Sequence, residues 1–357
     1  MSWQHFGFLM AVAAVVTLAV TPLVRSWTTR LGLLDMPGAR KVHERAISRL
    51  GGVAIFAGIA TALLAQFLGE AFGGWWPVLH EGGLPLAGAM IGGIVIFAVG
   101  VLDDIYTIRP GVKLAGQILA AAIPIAMGLR VEFVGDPFSG GLFMLGLLSY
   151  PVTLLWIVGF ANVINLIDGL DGLAAGISAI AAASFLVLAR ENNQLVAAAL
   201  AAVLIGACVG FLRYNFNPAS IIMGDSGAML LGFALATMSL SGVMKSTAAI
   251  TLVVPLLIIG VPVFDTLSAI IRRSLHGRPI QEADNGHIHH RLLGRGFNQR
   301  QTVLIIYAWS GGLAAGGYAM RFVPSLVKWL VFALLAALSG VMAKWLGLFD
   351  AAHAHGD

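Results

Sequence analysis

The sequence predicts an all-α integral membrane protein, a polytopic bundle of about eleven transmembrane helices, and three observations predict it. Hydrophobic residues make up 59% of the 357 residues and charged residues 11%, where a soluble domain carries roughly a quarter charged. The apolar runs are far longer than a barrel strand needs, so the spans are helices. The basic residues also segregate. When successive connections are assigned to alternate sides, all of the 21 Lys and Arg except Arg130, Arg190, Lys245, Arg321 and Lys328 fall on one side. The positive-inside rule makes that side the cytoplasm, with the N-terminus outside and the C-terminus inside.

Windows of about 20 apolar residues lie near 4–24, 51–69, 85–102, 112–129, 143–163, 173–189, 194–212, 226–244, 247–271, 302–320 and 324–343. The first has no basic leader and no clear cleavage site before Arg25, so it reads as a membrane helix and not a cleaved signal. The chain reads as a single domain over 1–357, with no linker or low-complexity segment and one longer cytoplasmic loop at 272–301. The 44 glycines suit close helix packing in lipid. The single cysteine, Cys208, lies inside an apolar run, so no intrachain disulfide forms.

Every polar cluster falls on the cytoplasmic side. Asp103-Asp104 ends the run Ile94–Leu102. Two adjacent carboxylates at a helix C-terminus repel each other and oppose the helix dipole, which favours a bound cation or a held proton. Asn162-Val-Ile-Asn-Leu-Ile-Asp-Gly-Leu-Asp-Gly172 joins two apolar runs and has no cationic neighbour in sequence. On a helix Asn162, Asn165 and Asp168 spread over roughly a third of the circumference. Gly169 and Gly172 favour a helix end, which puts Asp171 in a turn beyond that face. Such groups at an apolar boundary are costly unless something binds them. The stretch therefore reads as the floor of a site for a metal ion and a phosphorylated substrate.

Asp225, in Gly224-Asp-Ser-Gly227, precedes an apolar helix and is open to two readings, a helix N-cap or a metal ligand. Lys113 either neutralises a phosphate or extends to the membrane surface. His287, His289 and His290, flanked by Arg278, Arg291 and Arg295, read as a phosphate-binding cluster in preference to zinc, because the other candidate ligands are oxygen donors suited to Mg²⁺ or Mn²⁺. Arg40, Lys41, His43, Arg45 and Arg49 set topology and meet anionic headgroups, and a substrate role for Lys41 or His43 needs more than the pattern. Phe216, beside Asn215 and Asn217, is open to two readings, a base-stacking ring or an ordinary interfacial aromatic, and Asp265, beside Pro262, is ambiguous, with a buried polar tie as one reading, and stays outside the metal set. Two function classes survive: an enzyme joining a cytosolic phosphorylated donor to a lipid acceptor, and a secondary transporter. Transporters place their sites near the bilayer midplane, whereas here the acids cluster at one interface, which favours the enzyme.

Six segments in order, Asp35-Met-Pro-Gly-Ala-Arg-Lys-Val-His43, Arg49-Leu-Gly-Gly52, Gly100-Val-Leu-Asp-Asp104, Asn162–Gly172, Met223-Gly-Asp-Ser-Gly227 and His287-Ile-His-His290, span nearly the whole chain. In these the chain resembles the polyprenyl-phosphate N-acetylhexosamine-1-phosphate transferases, in the branch that forms undecaprenyl-diphospho-GlcNAc for O-antigen, common antigen or teichoic acid. The resemblance implies transfer of GlcNAc-1-phosphate from UDP-GlcNAc to undecaprenyl phosphate, release of UMP and a need for Mg²⁺, with Mn²⁺ as substitute. It implies Asp225 and Asn165 on the metal, and Asp103 or Asp104 near the lipid phosphate as base or charge partner. It further implies Asp168 and Asp171 organising the nucleotide side with Asn162, Lys113 on phosphate, and the histidines with Arg291 over the donor pyrophosphate. His-Ile-His-His is the pattern of the GlcNAc branch, and the related peptidoglycan enzyme that moves phospho-MurNAc-pentapeptide carries another. Donors such as UDP-GalNAc, UDP-QuiNAc, UDP-FucNAc and UDP-MurNAc-pentapeptide remain alternatives. The expected setting is the bacterial cytoplasmic membrane, with the active site on its inner face, no nucleic acid as partner, and a homodimer as a further possibility.

Overall fold

In the computed structural model of the chain, residues 1–36, 46–135, 142–242, 253–275 and 286–349 are described. Lys41 and His43 therefore lie outside the described residues. The chain is helical almost throughout: α1 (Trp3–Arg30), α2 (Gly51–Phe72), α3 (Val78–Tyr106), α4 (Pro110–Ala126), α5 (Ser149–Ile167), α6 (Leu173–Glu191), α7 (Leu195–Asn215), α8 (Gly224–Gly242), α9 (Val253–Ile258), α10 (Gly260–Leu275), α11 (Ile288–Gly294), α12 (Gln299–Ala319) and α13 (Ser325–Leu346). Within the described residues each apolar window of the sequence overlaps a helix. Among the described residues seven helices are long and apolar enough to cross a membrane, α1, α2, α3, α5, α6, α7 and α13.

The differences from the sequence reading lie at the ends of elements. The third window begins at 85, yet α3 runs from Val78 with a non-helical residue at Gly83, two positions before Pro85. Glycine takes the φ of +52° found there without a Cβ penalty. The fifth window begins at 143, whereas α5 starts at Ser149 because Leu142–Met144 pairs antiparallel with Phe133–Gly135 in a short hairpin. The ninth window is broken into α9 and α10. The loop expected at 272–301 carries the short helix α11.

Local chemistry explains the other boundaries. Pro110 opens α4 at a position where a missing N–H costs nothing. Asn298 and Gln301 form a reciprocal capping box at the start of α12. Gly347, at φ +66°, ends α13, and Leu348 N–H returns to the Ala343 carbonyl at 3.0 Å.

Helices α6 and α7 form the centre, with 67% of their most apolar windows buried, against 17% for α13 at the periphery. Their surfaces are lined by small residues such as Ala174, Ala175, Ala181, Ala182, Ala198 and Ala202, which let backbones approach closely where lipid gives no hydrophobic drive for association. Helix α7 lies against α1 in this way. A Cβ at Gly206 would stand 2.1 Å from the Met10 carbonyl oxygen, and one at Gly210 would stand 2.4 Å from that of Ala14. Gly206→Leu should therefore force α1 and α7 apart and cost about 1–3 kcal/mol, read as a lower thermal unfolding temperature of the detergent-solubilised protein.

Candidate active site

The ends of α3, α5, α7, α8 and α12 gather with α11 around a cavity of about 380 Å³. Its walls include Asp35, Arg49, Asp103, Asp104, Asn165, Asp168, Asp171, Asn215, Asp225, His289, His290 and Gln299.

The turn that presents Asp225 is held by backbone from two directions. Ile222 N–H bonds the Ser48 carbonyl at 3.0 Å, Gly51 N–H bonds that of Ile222 at 3.0 Å, and Gly52 N–H bonds that of Met223 at 2.9 Å. Gly100 of α3 lies against the same turn, where a Cβ would stand 2.4 Å from the Ser226 Cα. The chain enters α8 through Gly224 at φ +73°. From α3, Asp104 then caps α8: its Oδ1 accepts from Asp225 N–H at 2.8 Å and its Oδ2 from Ser226 N–H at 3.0 Å. A carboxylate here satisfies two orphan donors and meets the positive end of the helix dipole. The cap is thus Asp104, and the Asp225 side chain is free to face the cavity.

Lys113 is the centre of that face. Its ammonium pairs with Asp103 Oδ2 at 2.9 Å and with Asp225 Oδ2. With its amide oriented to satisfy both neighbours, Asn165 donates to Asp225 Oδ1 at 3.0 Å and accepts from Lys113 at 3.0 Å. Asp103 Oδ1 is fixed by the Ile108 N–H at 2.8 Å. The reading of Lys113 as an outward, surface-seeking lysine is replaced by an inward ion pair.

The turn after α5 is braced on both sides. Asp171 Oδ2 accepts from Asn217 Nδ2 at 3.0 Å and from Ala219 N–H at 2.9 Å. Gly172 donates its N–H to Asn215 Oδ1 at 3.1 Å and accepts from the Tyr307 hydroxyl at 2.5 Å. Asp168, at the end of α5, lines the cavity, and its carboxylate has no hydrogen bond among the described residues. Burial first, then the fields of Asp225, Asp104 and Asp171, push its carboxyl up to about 8. Asn162, one turn before Asn165, is not on the cavity wall. It forms a reciprocal amide pair with Gln117 of α4, at 2.7 and 3.2 Å, which consumes its capacity as a ligand.

The histidines divide in the same manner. The buried Asp265 of α10 binds His287 Nδ1 through Oδ2 at 2.8 Å and caps Ile288 N–H through Oδ1 at 2.8 Å, so the polar tie read from the sequence anchors α11. His289 and His290 reach the cavity with ring centroids 4.2 Å apart. His289 presses on Gly169, where a Cβ would stand 2.5 Å from its Nε2. Its Nδ1 is buried without a hydrogen-bond partner among the described residues. Burial, then His290, pushes its ring down to about 3, so it meets a ligand as a neutral imidazole. Behind α11, Arg295 lies over the Trp345 ring at 4.4 Å and donates to the Trp345 carbonyl, while Arg272 donates to that of Leu348. Neither His287 nor Arg291 is among the residues that line the cavity.

Three wall residues went unselected in the sequence. Asp35 and Arg49 form an ion pair beneath α3, and Gln299 bonds Asn217. The first two stand in motif segments, but no spacing rule pairs residues across a loop. Phe216 packs against Gly172, where a Cβ would meet its ring at 3.0 Å.

Among the described residues no three His, Cys, Asp or Glu side chains form a ready metal cage. Two carboxylates and one amide oxygen converge on Lys113 instead. That set suits Mg²⁺, which keeps water and substrate oxygens in its shell, and does not suit zinc.

The family model described as glycosyl transferase family 4 matches residues 86–243. A probable undecaprenyl-phosphate N-acetylglucosaminyl 1-phosphate transferase of Bacillus subtilis is 37% identical over 95% of this chain and 91% of its own. The chain belongs to the polyprenyl-phosphate N-acetylhexosamine-1-phosphate transferase family. A decaprenyl-phosphate N-acetylglucosaminephosphotransferase of Mycobacterium tuberculosis is 38% identical over 89% of this chain and 83% of its own. An undecaprenyl-phosphate alpha-N-acetylglucosaminyl 1-phosphate transferase of Escherichia coli is 28% identical over 90% and 86%. Membership makes the chain a membrane-bound transferase and leaves the transporter reading without support.

Two outcomes are expected of this transferase site. Gly100→Val should displace the Asp225 turn and remove transferase activity while the protein still elutes as a folded species on size-exclusion chromatography. The second concerns pH. With its carboxyl raised from 3.8 to about 8, Asp168 holds a proton in the folded state that the unfolded chain releases. The stability of metal-free protein should therefore fall as pH rises toward 8 and level off above it. Asp168→Asn should flatten that slope in thermal unfolding measured in EDTA.

Proposed function

We propose that this transferase moves GlcNAc-1-phosphate from UDP-GlcNAc to undecaprenyl phosphate at the inner face of the bacterial cytoplasmic membrane. The product would start a lipid-linked surface polysaccharide such as O-antigen, common antigen or teichoic acid. The observation that carries this reading is the convergence of Asp103, Asp225 and Asn165 on one cavity wall at the ends of apolar helices, with Lys113 bound to all three. Lipid phosphate from the bilayer and a nucleotide sugar from the cytosol meet at such a boundary. The names of the relatives in B. subtilis and M. tuberculosis support the polyprenyl phosphate and the amino sugar. The same reading has eleven spans, the N-terminus outside and the C-terminus inside.

In the proposed reaction an oxygen of the lipid phosphate attacks the phosphorus that bears the sugar. The bond from that phosphorus to the bridging oxygen breaks, and UMP leaves with the electron pair. Asp225 and Asn165 would hold a divalent ion, which supplies charge neutralisation on the diphosphate. Lys113 serves a phosphate oxygen as a point charge. His289, neutral and buried against Gly169, donates one hydrogen bond to the donor diphosphate. The acceptor needs no strong base, because a phosphomonoester with a second pKa near 6 is already largely ionised. Asp103 therefore acts as the charge partner that positions Lys113. Asp104 and Asp171, each holding two N–H donors, position the α8 turn and the nucleotide-side turn.

Purified protein given undecaprenyl phosphate and a panel of UDP-GlcNAc, UDP-GalNAc, UDP-QuiNAc, UDP-FucNAc and UDP-MurNAc-pentapeptide should form the GlcNAc product and UMP, measured by mass spectrometry. Preference for another donor would overturn the GlcNAc assignment and keep the chemistry. Asp225→Asn should lower Mg²⁺-dependent turnover by more than about a hundredfold, and near wild-type turnover would remove Asp225 from the metal.

A further inference from the structure

We infer that the Lys113 ammonium is a resident counter-cation occupying the divalent site, and that a metal ion enters as an arriving phosphate draws Lys113 away. The inference rests on the proposed function only for the presence of a divalent ion.

Asp225 and Asn165, the residues that would ligate the ion, are engaged by the ammonium, with Asp103 as its third partner. Asp103 Oδ2, Asp225 Oδ2 and the Asn165 amide oxygen all point at Lys113. A monovalent and a divalent cation cannot share these oxygens without strong repulsion at contact distance. One of them must leave, and the structure shows which groups can move. Asp103 is tethered by Ile108 N–H at 2.8 Å. Asp225 is held through its own N–H by Asp104 and by the packed turn at Gly52 and Gly100. Lys113 is the fourth residue of α4, and its ammonium rides on a flexible four-carbon stem that swings without backbone movement.

Lys113 needs a destination. Among the described carboxylates of the wall, Asp104 and Asp171 each hold two N–H donors and Asp35 is paired with Arg49, so the open partners in the cavity are Asp168 and an arriving phosphate. A phosphate group in the cavity gives the ammonium a stronger anionic partner, and the oxygens it leaves become open to the metal. Metal and phosphate then bind with positive coupling, and Lys113 is the residue through which they are coupled.

The test is Mn²⁺ binding to full-length protein in nanodiscs, followed by electron paramagnetic resonance with and without UMP and corrected for Mn²⁺ held by free nucleotide. Wild type should bind Mn²⁺ weakly alone and about tenfold more tightly with UMP, within the usual range of coupling between two sites. Lys113→Met should bind Mn²⁺ tightly without UMP and gain nothing from it. Lys113→Arg, which keeps the charge, should leave Mn²⁺ binding without UMP as weak as in wild type. Unchanged or weaker Mn²⁺ affinity in Lys113→Met would overturn the exchange. If that variant does not fold, wild type decides alone: Mn²⁺ affinity that ignores UMP overturns the proposal. No saturable Mn²⁺ binding under any condition would sink the metal-site reading itself, a result distinct from loss of the coupling.

Discussion

The ammonium of Lys113, held between Asp103, Asp225 and Asn165, is the interaction around which the polar end of the molecule is arranged. Carboxylates at the margin of an apolar bundle lose much of their hydration and must be compensated where they stand. One lysine from the first turn of α4 does this for acids on α3 and α8, and it also fixes the relative positions of three helix ends. Removing it would leave two uncompensated carboxylates facing each other, which explains why a cation of some kind belongs at this point.

The other acids separate into two kinds according to what fills their lone pairs. Asp104, Asp171 and Asp265 accept two hydrogen bonds each, mostly from backbone N–H groups, and they bind elements of the fold to one another. A carboxylate engaged in this way is held in place by the elements it joins. Asp103 and Asp225 are bound to a movable side chain instead, and Asp168 faces the cavity with its carboxyl raised to about 8. The scaffold acids are therefore as necessary as the ligand-facing ones, but for geometry and not for chemistry.

The histidine helix follows the same plan. Asp265 holds its front through His287 and Ile288, and the Trp345 carbonyl near the end of α13 holds its back through Arg295. His289 is thereby pressed on Gly169 next to Asp168. A segment that reads as one polar loop becomes a rigid carrier for two of its three histidines.

Hydropathy, charge placement and motif order are properties of the chain itself, and they determined that this is a helical membrane protein with its acids, amides and histidines at one end. Among the described residues every apolar window overlaps a helix, because an apolar run of that length has few other ways to satisfy its backbone in lipid. The tertiary structure decided which polar residue does what. Asn162 sits three residues before Asn165 and has the same chemistry, yet it pairs with Gln117 while Asn165 joins Lys113. Asp103 and Asp104 are neighbours on one cavity wall, yet one pairs with Lys113 and the other caps a helix 121 residues away in sequence. Periodicity orders side chains only around their own helix. Partners separated by a hundred residues meet through the packing of glycines such as Gly52 and Gly100 against the α8 turn, and that contact exists only once the helices have assembled.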